Sequence, residues 1–273
     1  MSKAILSDNK LITANPTLTT SSNNTNDASG LYASTATNTG NSTYYFRGNV
    51  ENNYVSFAGF IWRIVRINED GTVRLIMQDG INNNTNYQFN SNYNNYTYMY
   101  YSNSNAKTTL ENWYQTNIGS KADLSSKVAS GNYYCEQAKV KYDSSVTSGN
   151  ATMKLYSNYT PDFKCIADGN NKGLVSASIG LLAYDEAVYA GGYYAEANSD
   201  YYLYNSSVIW WMMSPNGFTS SSSIWAIYHT GLIGHGAVYS TAVVIRPVLV
   251  LKADTQIFLG NGAKDNPYVL SEN

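Results

Sequence analysis

The two histidines, His229 and His235, are the side chains with the most obvious chemistry, because imidazole binds metals and exchanges protons near neutral pH. They lie close together among Gly, Ile and Thr residues, without the H-E-x-x-H spacing of a zinc protease. The motifs G-x-S-x-G and G-x-x-x-x-G-K are missing from the sequence. We therefore predict exposed histidines on a binding surface, no catalytic residues, no metal site and no enzymatic activity.

The carboxylates offer a weaker prediction. Asp185 and Glu186 are adjacent on a predicted helix, so their side chains point in different directions and favour a capping role over paired acid–base work. Two other groups, Glu196 with Asp200 and Asp265 with Asn266, could supply oxygen ligands to calcium, although the sequence has no EF-hand spacing. Calcium stays open as an alternative to the prediction of no cofactor.

The two cysteines, Cys135 and Cys165, are separated by thirty residues and form no C-x-x-C motif. In an exported protein an even number of cysteines favours a disulfide, here one that closes the intervening segment. Two unpaired buried thiols are the alternative.

The composition indicates an exported domain. Charged residues make up 13% of the chain, against about 25% in a typical globular protein, while 26 tyrosines and many Asn, Ser and Thr residues supply polarity. The net charge of −2 argues against nucleic-acid binding, which needs a basic patch. We predict an extracellular or cell-surface location.

No apolar run is long enough to span a membrane. The opening residues 1–6 lack the pattern of a signal peptide. We expect that a targeting segment has been removed, that Met1 is an artificial start, and that the native chain is anchored to a membrane or cell wall.

The pattern of elements predicts an α+β fold of mostly antiparallel strands with two or so helices. Residues 1–43 are predicted to be a polar leader or linker with little core of its own, and residues 44–273 a single binding domain. Aromatic and β-branched runs at 61–67 and 72–77, joined by the turn 68–71, predict a hairpin. Further strands are predicted at 174–182, 209–215, 223–227 and 243–251, and a short helix at 183–190 that ends at Gly191.

Three stretches, in this order, resemble a family of bacterial surface proteins. They are residues 44–48 with 56–66, residues 182–192, and residues 211–215 with 246–252, and the closing residues 262–269 fit the same signature. The family consists of exported, pilin-like or wall-attached proteins of gut Gram-positive bacteria. The C-terminal part also resembles the C-type-lectin-like fold of formylglycine-generating-enzyme relatives, which is reused for variable proteins of diversity-generating retroelements.

This resemblance implies a strand scaffold that presents variable side chains just before Arg246-Pro247. It implies no catalysis, because the enzymes of that fold need reactive cysteines near the C-terminal groove and this chain has none after Cys165. We expect Arg246 to pair with a carboxylate or with backbone carbonyls beneath the surface. The expected ligand-contacting residues are Trp225, Tyr228, His229, Thr230, Leu232, His235, Tyr239, Ser240, Ala242 and Val243.

Three functional hypotheses follow. The first is a surface-displayed, adhesin-like domain that recognises a protein or glycan, on another cell or on a phage, through residues 216–243, extended by the tyrosine-rich loops 93–101 and 193–204. The second is a structural pilin-like subunit whose partners are copies of itself. The third is a hydrolase whose catalytic residues form no recognisable sequence motif.

Overall fold

A computed structural model describes residues 1–18, 27–136, 140–142, 151–153, 161–165, 173–194, 196–218 and 220–270. Within these residues the chain forms three β-sheets and five short α-helices. All strand pairs are antiparallel except one. The prediction of an α+β fold of mostly antiparallel strands is therefore confirmed, and the expectation of two or so helices is too low.

The largest sheet has nine strands and carries most of the core. Its strands are β1 (Gly30–Ser34), β2 (Thr43–Arg47), β3 (Tyr54–Phe57), β4 (Phe60–Ile67), β5 (Val73–Met77), β10 (Ile179–Gly180), β14 (Val248–Leu251), β15 (Ile257–Leu259) and β16 (Tyr268–Leu270). The order is β10-β14-β5-β4-β3-β16-β15, with β2 pairing with β4 and β1 with β2. The β3–β16 pair is parallel.

The hairpin predicted between residues 61 and 77 is confirmed as β4 and β5. Gly71 takes a φ of 81° in the connecting turn, a conformation that glycine adopts without a Cβ clash. Asp70 accepts hydrogen bonds from the backbone N–H and the hydroxyl of Thr72 at 3.0 and 2.6 Å. The turn thus fixes the register in which Trp62 and Ile64 are fully buried.

A second sheet has the order β13-β12-β11-β8-β7. Its strands are β7 (Val140–Tyr142), β8 (Ala151–Met153), β11 (Trp210–Phe218), β12 (Ser222–Ile227) and β13 (Ile233–Ala237), and a separate pair joins β6 (Gly131–Cys135) to β9 (Leu174–Ala177). The predicted strand 243–251 is shorter than expected, because only Val248–Leu251 is strand and Val244 makes isolated bridges to Asn86 and Trp210. The predicted strand 174–182 is split into β9 and β10.

The five helices are α1 (Ser2–Asp8), α2 (Ile81–Asn84), α3 (Asn105–Tyr114), α4 (Ala122–Ser125) and α5 (Tyr184–Ala190). The short α2 is a left-handed turn at Asn82 and Asn83 and not a regular right-handed helix. Helix α5 confirms the helix predicted at 183–190 and ends at Gly191, whose φ is 116°. Glu186 caps α5 by accepting a hydrogen bond from Ala183 N at 3.0 Å. None of the described helices is long and apolar enough to cross a membrane.

The expectation that residues 1–43 contribute little to a core is wrong for two parts of that range. Met1 and Ile5, before and within α1, belong to the main hydrophobic cluster. Strand β1 pairs with β2 in the large sheet and places Leu31, which is 1% exposed, in the same cluster. Because burial of apolar side chains stabilises the fold, these parts belong to the domain and are not a leader.

The disulfide predicted between Cys135 and Cys165 is confirmed. It links β6 to the segment 161–165, in which Phe163 packs against Tyr45 and Tyr189 with ring centroids 5.6 and 4.0 Å apart. The guanidinium of Arg66 lies 4.8 Å from the centre of the Phe163 ring. The disulfide therefore ties the segment 161–165 to the β6–β9 pair, while Phe163 in that segment packs against Tyr45 of the large sheet.

Candidate ligand-binding site

The two longest runs of the sequence without an Asp, Glu, Lys or Arg residue are residues 80–106 and 201–245. The fold brings them together. Tyr87 N donates to Val243 O at 2.8 Å, and Asn90 N donates to Val238 O at 2.9 Å. A third backbone bond joins Ser222 N to Tyr93 O at 2.8 Å. The two uncharged segments therefore form one continuous part of the molecule.

Tyr93 and Tyr239 form the most prominent exposed feature where these segments meet. Their side chains are 47% and 43% exposed, and their ring centroids lie 4.7 Å apart at an interplanar angle of 54°. Gln88 Nε2 donates to Tyr239 O at 2.7 Å and so fixes the backbone beneath the pair. We call the exposed and half-exposed residues around the pair the neutral face. Its members are Gln88, Tyr93, Asn94, Tyr239, Ser240, Thr241 and Ala242.

The predicted residues Tyr228 to Leu232 form the turn between β12 and β13. Gly231 N donates to Tyr228 O at 2.8 Å and Tyr228 N to Leu232 O at 3.0 Å, while Gly231 has a φ of 79°. The buried Tyr201 hydroxyl donates to Gly231 O at 2.7 Å from below. The turn therefore presents His229 and Thr230 as exposed side chains on a fixed backbone.

His235 lies on β13, the edge strand of the second sheet, between this turn and the neutral face. Its ring packs edge-on against Trp225 at 5.8 Å, and its Nδ1 lies 3.2 Å from Ser223 Oγ. Tyr228 OH donates to His235 O at 2.8 Å. Burial lowers the pKa of His235 below its usual value of 6.5, so the imidazole is neutral at pH 7.

The predicted surface is therefore a ridge along one sheet edge and not a single patch. A strand rises about 3.3 Å per residue, so the turn and Tyr239 lie roughly 20 Å apart along β13. Eight of the ten predicted residues are exposed or half-exposed along this ridge, namely Tyr228, His229, Thr230, Leu232, His235, Tyr239, Ser240 and Ala242.

Two of the predicted contacts, Trp225 and Val243, are buried. Trp225 is 0% exposed and packs against Tyr184 and Tyr194, with ring centroids 4.8 and 5.4 Å away. Val243 is 4% exposed and belongs to the main cluster. Both faces of β12 are covered, so the position of a large apolar residue on this strand does not predict its exposure.

The tyrosine-rich loops also differ from the prediction. In 193–204, Tyr193, Tyr201 and Tyr202 are buried, and in 93–101 Tyr100 and Tyr101 are buried. Each loop contains five tyrosines, and of these ten only Tyr93 is prominently exposed beside the predicted surface. The signal that identifies Tyr93 in the sequence is its place in the charge-free run 80–106.

Arg246 lies beneath the uncharged segments and is completely buried. Its Nε donates to Met77 O at 3.0 Å and its Nη1 to Leu203 O at 2.9 Å, so the expected pairing with backbone carbonyls is confirmed. The guanidinium also stacks 4.6 Å from the centre of the Trp210 ring. Burial lowers the pKa of Arg246 to about 10, which still leaves the side chain charged at pH 7.

Among the described residues, no group of three or more His, Cys, Asp or Glu side chains could hold a metal ion. In the first group considered for calcium, Asp200 N donates a hydrogen bond to Asn198 Oδ1 at 2.9 Å. In the second group, Asp265 and Asn266 lie in an exposed turn. The ridge offers hydrogen-bonding groups, aromatic rings and no formal charge. The ridge is therefore suited to binding a partner through hydrogen bonds and aromatic packing and not through ion pairs.

Comparisons with protein-family models, with curated proteins and with solved structures found no match for the chain.

Proposed function

We propose that this chain is a ligand-recognition domain, exported and displayed at a cell surface, which binds a protein or glycan partner through the ridge from Tyr228 to Ala242 together with Tyr93. In this proposal the fold is C-type-lectin-like and the chain is a relative of the variable proteins that its sequence resembles. The observation that carries the proposal is the convergence of two charge-free segments at an exposed tyrosine pair.

The absence of charge on an exposed surface supports binding. The cores of protein interfaces are depleted in Lys, Glu and Asp and enriched in tyrosine. A surface without charges is desolvated at lower cost when a partner covers it, because burying an unpaired charge is expensive. Tyr93 and Tyr239 also lose little side-chain entropy on binding, since a tyrosine has only two side-chain torsions.

The rigid support of the ridge also favours recognition. Tyr201 fixes the turn through Gly231 O, and Gln88 fixes the backbone of Tyr239. A preorganised surface binds more tightly because it does not have to be ordered by the ligand. The length of the ridge, about 20 Å, favours an extended protein surface over a single sugar residue.

An array of glycans and cell-surface proteins tests the proposal. The wild type and a Tyr93→Ser/Tyr239→Ser double variant would be probed side by side, with Phe258→Ser as a control that also removes an exposed aromatic ring. We expect the wild type and the control to give the same specific signal and the double variant to lose at least about tenfold, the effect of removing one or two interface hot spots. Equal signals from all three proteins would reject the neutral face as the binding site.

A structural subunit that assembles with itself is the second candidate. One observation favours it: Phe258 and Leu259, on the edge strand β15, are 69% and 59% exposed. Exposed apolar edge strands are sites where sheets pair with other chains. Sedimentation velocity over a hundredfold concentration range tests this candidate, which predicts assemblies that Phe258→Ser disperses. A concentration-independent monomer would reject it.

A further inference from the structure

A cleft of about 550 Å³ lies beside the charge-free loop that follows β5. Its volume falls within the range of about 300–1,000 Å³ that is typical of small-ligand sites. None of the ten ligand contacts predicted from sequence lines it. The lining residues are Phe60, Ile61, Met77, Asp79, Gly80, Asn82, Asn83, Asn84, Trp113 and Asn117.

One wall of the cleft is apolar and aromatic. The rings of Phe60 and Trp113 are 5.1 Å apart and inclined at 52°, and Ile61 beside them is 40% exposed. Such a wall can pack against the C–H groups of a ligand, with the hydrophobic gain of covering apolar surface. The wall therefore favours a ligand that has an apolar face.

Another part of the lining is built by three successive asparagines with left-handed backbones. Asn82, Asn83 and Asn84 have φ values of 50°, 56° and 61°. This conformation is unfavourable for residues with a Cβ, although asparagine tolerates it best. Asn84 Oδ1 accepts from Gly80 N at 2.6 Å, and Asn82 Nδ2 donates to Tyr87 OH at 2.7 Å. The strained turn is thus held in place by its own side chains.

Two polar groups of the lining remain available for a ligand. The amide of the exposed Asn83 and the carboxylate of the exposed Asp79 have no hydrogen-bond partner in the described part of the chain. An asparagine amide both donates and accepts, and a carboxylate accepts, which matches the mixed donor and acceptor character of hydroxyl groups. These groups therefore line the same cleft as the apolar wall.

The positive charge of the buried Arg246 offsets the negative charge of Asp79. Asp79 stabilises the charged form of the buried Arg246, against the effect of burial. Asp79 is the only ionisable residue in the lining, so the cleft has no excess negative charge once Arg246 is counted. This balance favours a neutral ligand over a lysine or arginine side chain.

We infer that this cleft binds a neutral saccharide unit, whose hydroxyls bond to Asn83 and Asp79 while its C–H face packs on the accessible apolar part of the lining at Phe60 and Ile61. This site is separate from the neutral face, so the inference goes beyond the proposed function and does not depend on it. The ligand is recognised without a metal, since the polar contacts come from side chains.

Saturation-transfer NMR tests the inference with defined probes: the methyl glycosides of glucose, galactose, mannose and N-acetylglucosamine, together with cationic glucosamine and trilysine peptide. We expect saturation of at least one neutral glycoside in the presence of EDTA and none of trilysine. Asn83→Gly should weaken that binding about fivefold, the effect of losing one hydrogen bond. This variant removes the amide yet keeps a residue that tolerates positive φ, so the fold is retained.

Two controls separate this site from other effects. Asn49→Ala removes an exposed amide outside the cleft lining and should leave glycoside binding unchanged. The Tyr93→Ser/Tyr239→Ser variant should also bind the glycoside, which distinguishes failure of the cleft from failure of the neutral face. Binding of trilysine that Asp79→Asn abolishes would overturn the inference in favour of a cation site. Saturation of none of the neutral glycosides would overturn it outright.

Discussion

Two regions of the molecule bury arginine in different ways. Near the disulfide, the Arg74 Nε lies 2.6 Å and the Arg66 Nε 3.3 Å from Glu186 Oε1, so two guanidinium groups share one buried carboxylate. Behind the uncharged segments, Arg246 bonds instead to the carbonyls of Met77 and Leu203 and stacks on Trp210. A buried charge needs compensation in either case.

The difference shows how the fold keeps one surface free of charge. The first region compensates its arginines with an acid and also has charged groups nearby, such as Glu69 and Asp70. The second region bonds Arg246 to backbone carbonyls and stacks it on an aromatic ring, and the carboxylate that also stabilises its charge, Asp79, lies at the cleft and outside the neutral face. The compensation of Arg246 therefore adds no charge to the neutral face, because its carbonyl partners are uncharged and Asp79 is not a member of that face.

The largest expected effect is that of Glu186→Gln. This change leaves the buried Arg74 without a counter-charge and leaves Arg66 with Glu69 alone, and we expect the free energy of unfolding to fall by about 3–5 kcal/mol. Chemical denaturation of the wild type and the variant measures this difference in the free energy of unfolding. Glu69→Gln is the matched control, because Glu69 is half-buried and 3.9 Å from Arg66 Nη1, and it should cost less than about 1 kcal/mol. Similar losses from both variants would contradict the proposed role of Glu186.

A smaller effect is expected for Arg246→Met. The carbonyls of Met77 and Leu203 lose their hydrogen-bond donors, which costs about 1–3 kcal/mol of stability each. Removing the buried guanidinium charge also removes its desolvation cost, which offsets part of that loss. We expect a net loss of about 2 kcal/mol in the same denaturation experiment. A loss larger than that of Glu186→Gln would reverse the comparison between the two regions.

Tyr201→Phe should have a smaller effect still. It removes the hydrogen bond to Gly231 O, which contributes about 1 kcal/mol.

Burial raises the pKa of Tyr201 well above its usual value of 10, so the folded state keeps a proton that the unfolded state releases above pH 10. Stability is therefore lost as the pH rises above about 10. Tyr201→Phe should reduce that slope between pH 10 and 11 by about 1 kcal/mol per pH unit, measured by denaturation at each pH. An unchanged slope would indicate that Tyr201 ionises in the folded state.

Much of the fold could be predicted from local patterns. The β4–β5 hairpin, helix α5 with its terminal Gly191, and the disulfide follow from β-branched runs, turn residues, capping and cysteine count. Strand β1 could not be predicted, because Leu31 and Tyr32 are two apolar residues in a polar, low-complexity stretch. Their burial depends on pairing with β2, which is a tertiary effect.

The candidate site was predicted less completely. The region of the ridge follows from the density of Tyr, His, Ser and Gly before Arg246, but burial of Trp225 depends on what covers each face of β12. The approach of Tyr93 to Tyr239 joins residues 146 positions apart (239 minus 93) and leaves no local pattern. The charge-free runs predict that both segments avoid charge, and only the fold brings them into contact.

The most direct test of the neutral face adds a single charge to it. Ala242 is exposed and Ala253 is an equally simple exposed site elsewhere, so Ala242→Lys and Ala253→Lys form a matched pair, and each should change stability by less than about 0.5 kcal/mol. Binding to the ligand identified on the array would be titrated for both variants. The account predicts that Ala242→Lys weakens binding at least about tenfold, through burial of an unpaired charge, while Ala253→Lys binds like the wild type. Wild-type affinity in Ala242→Lys would contradict it.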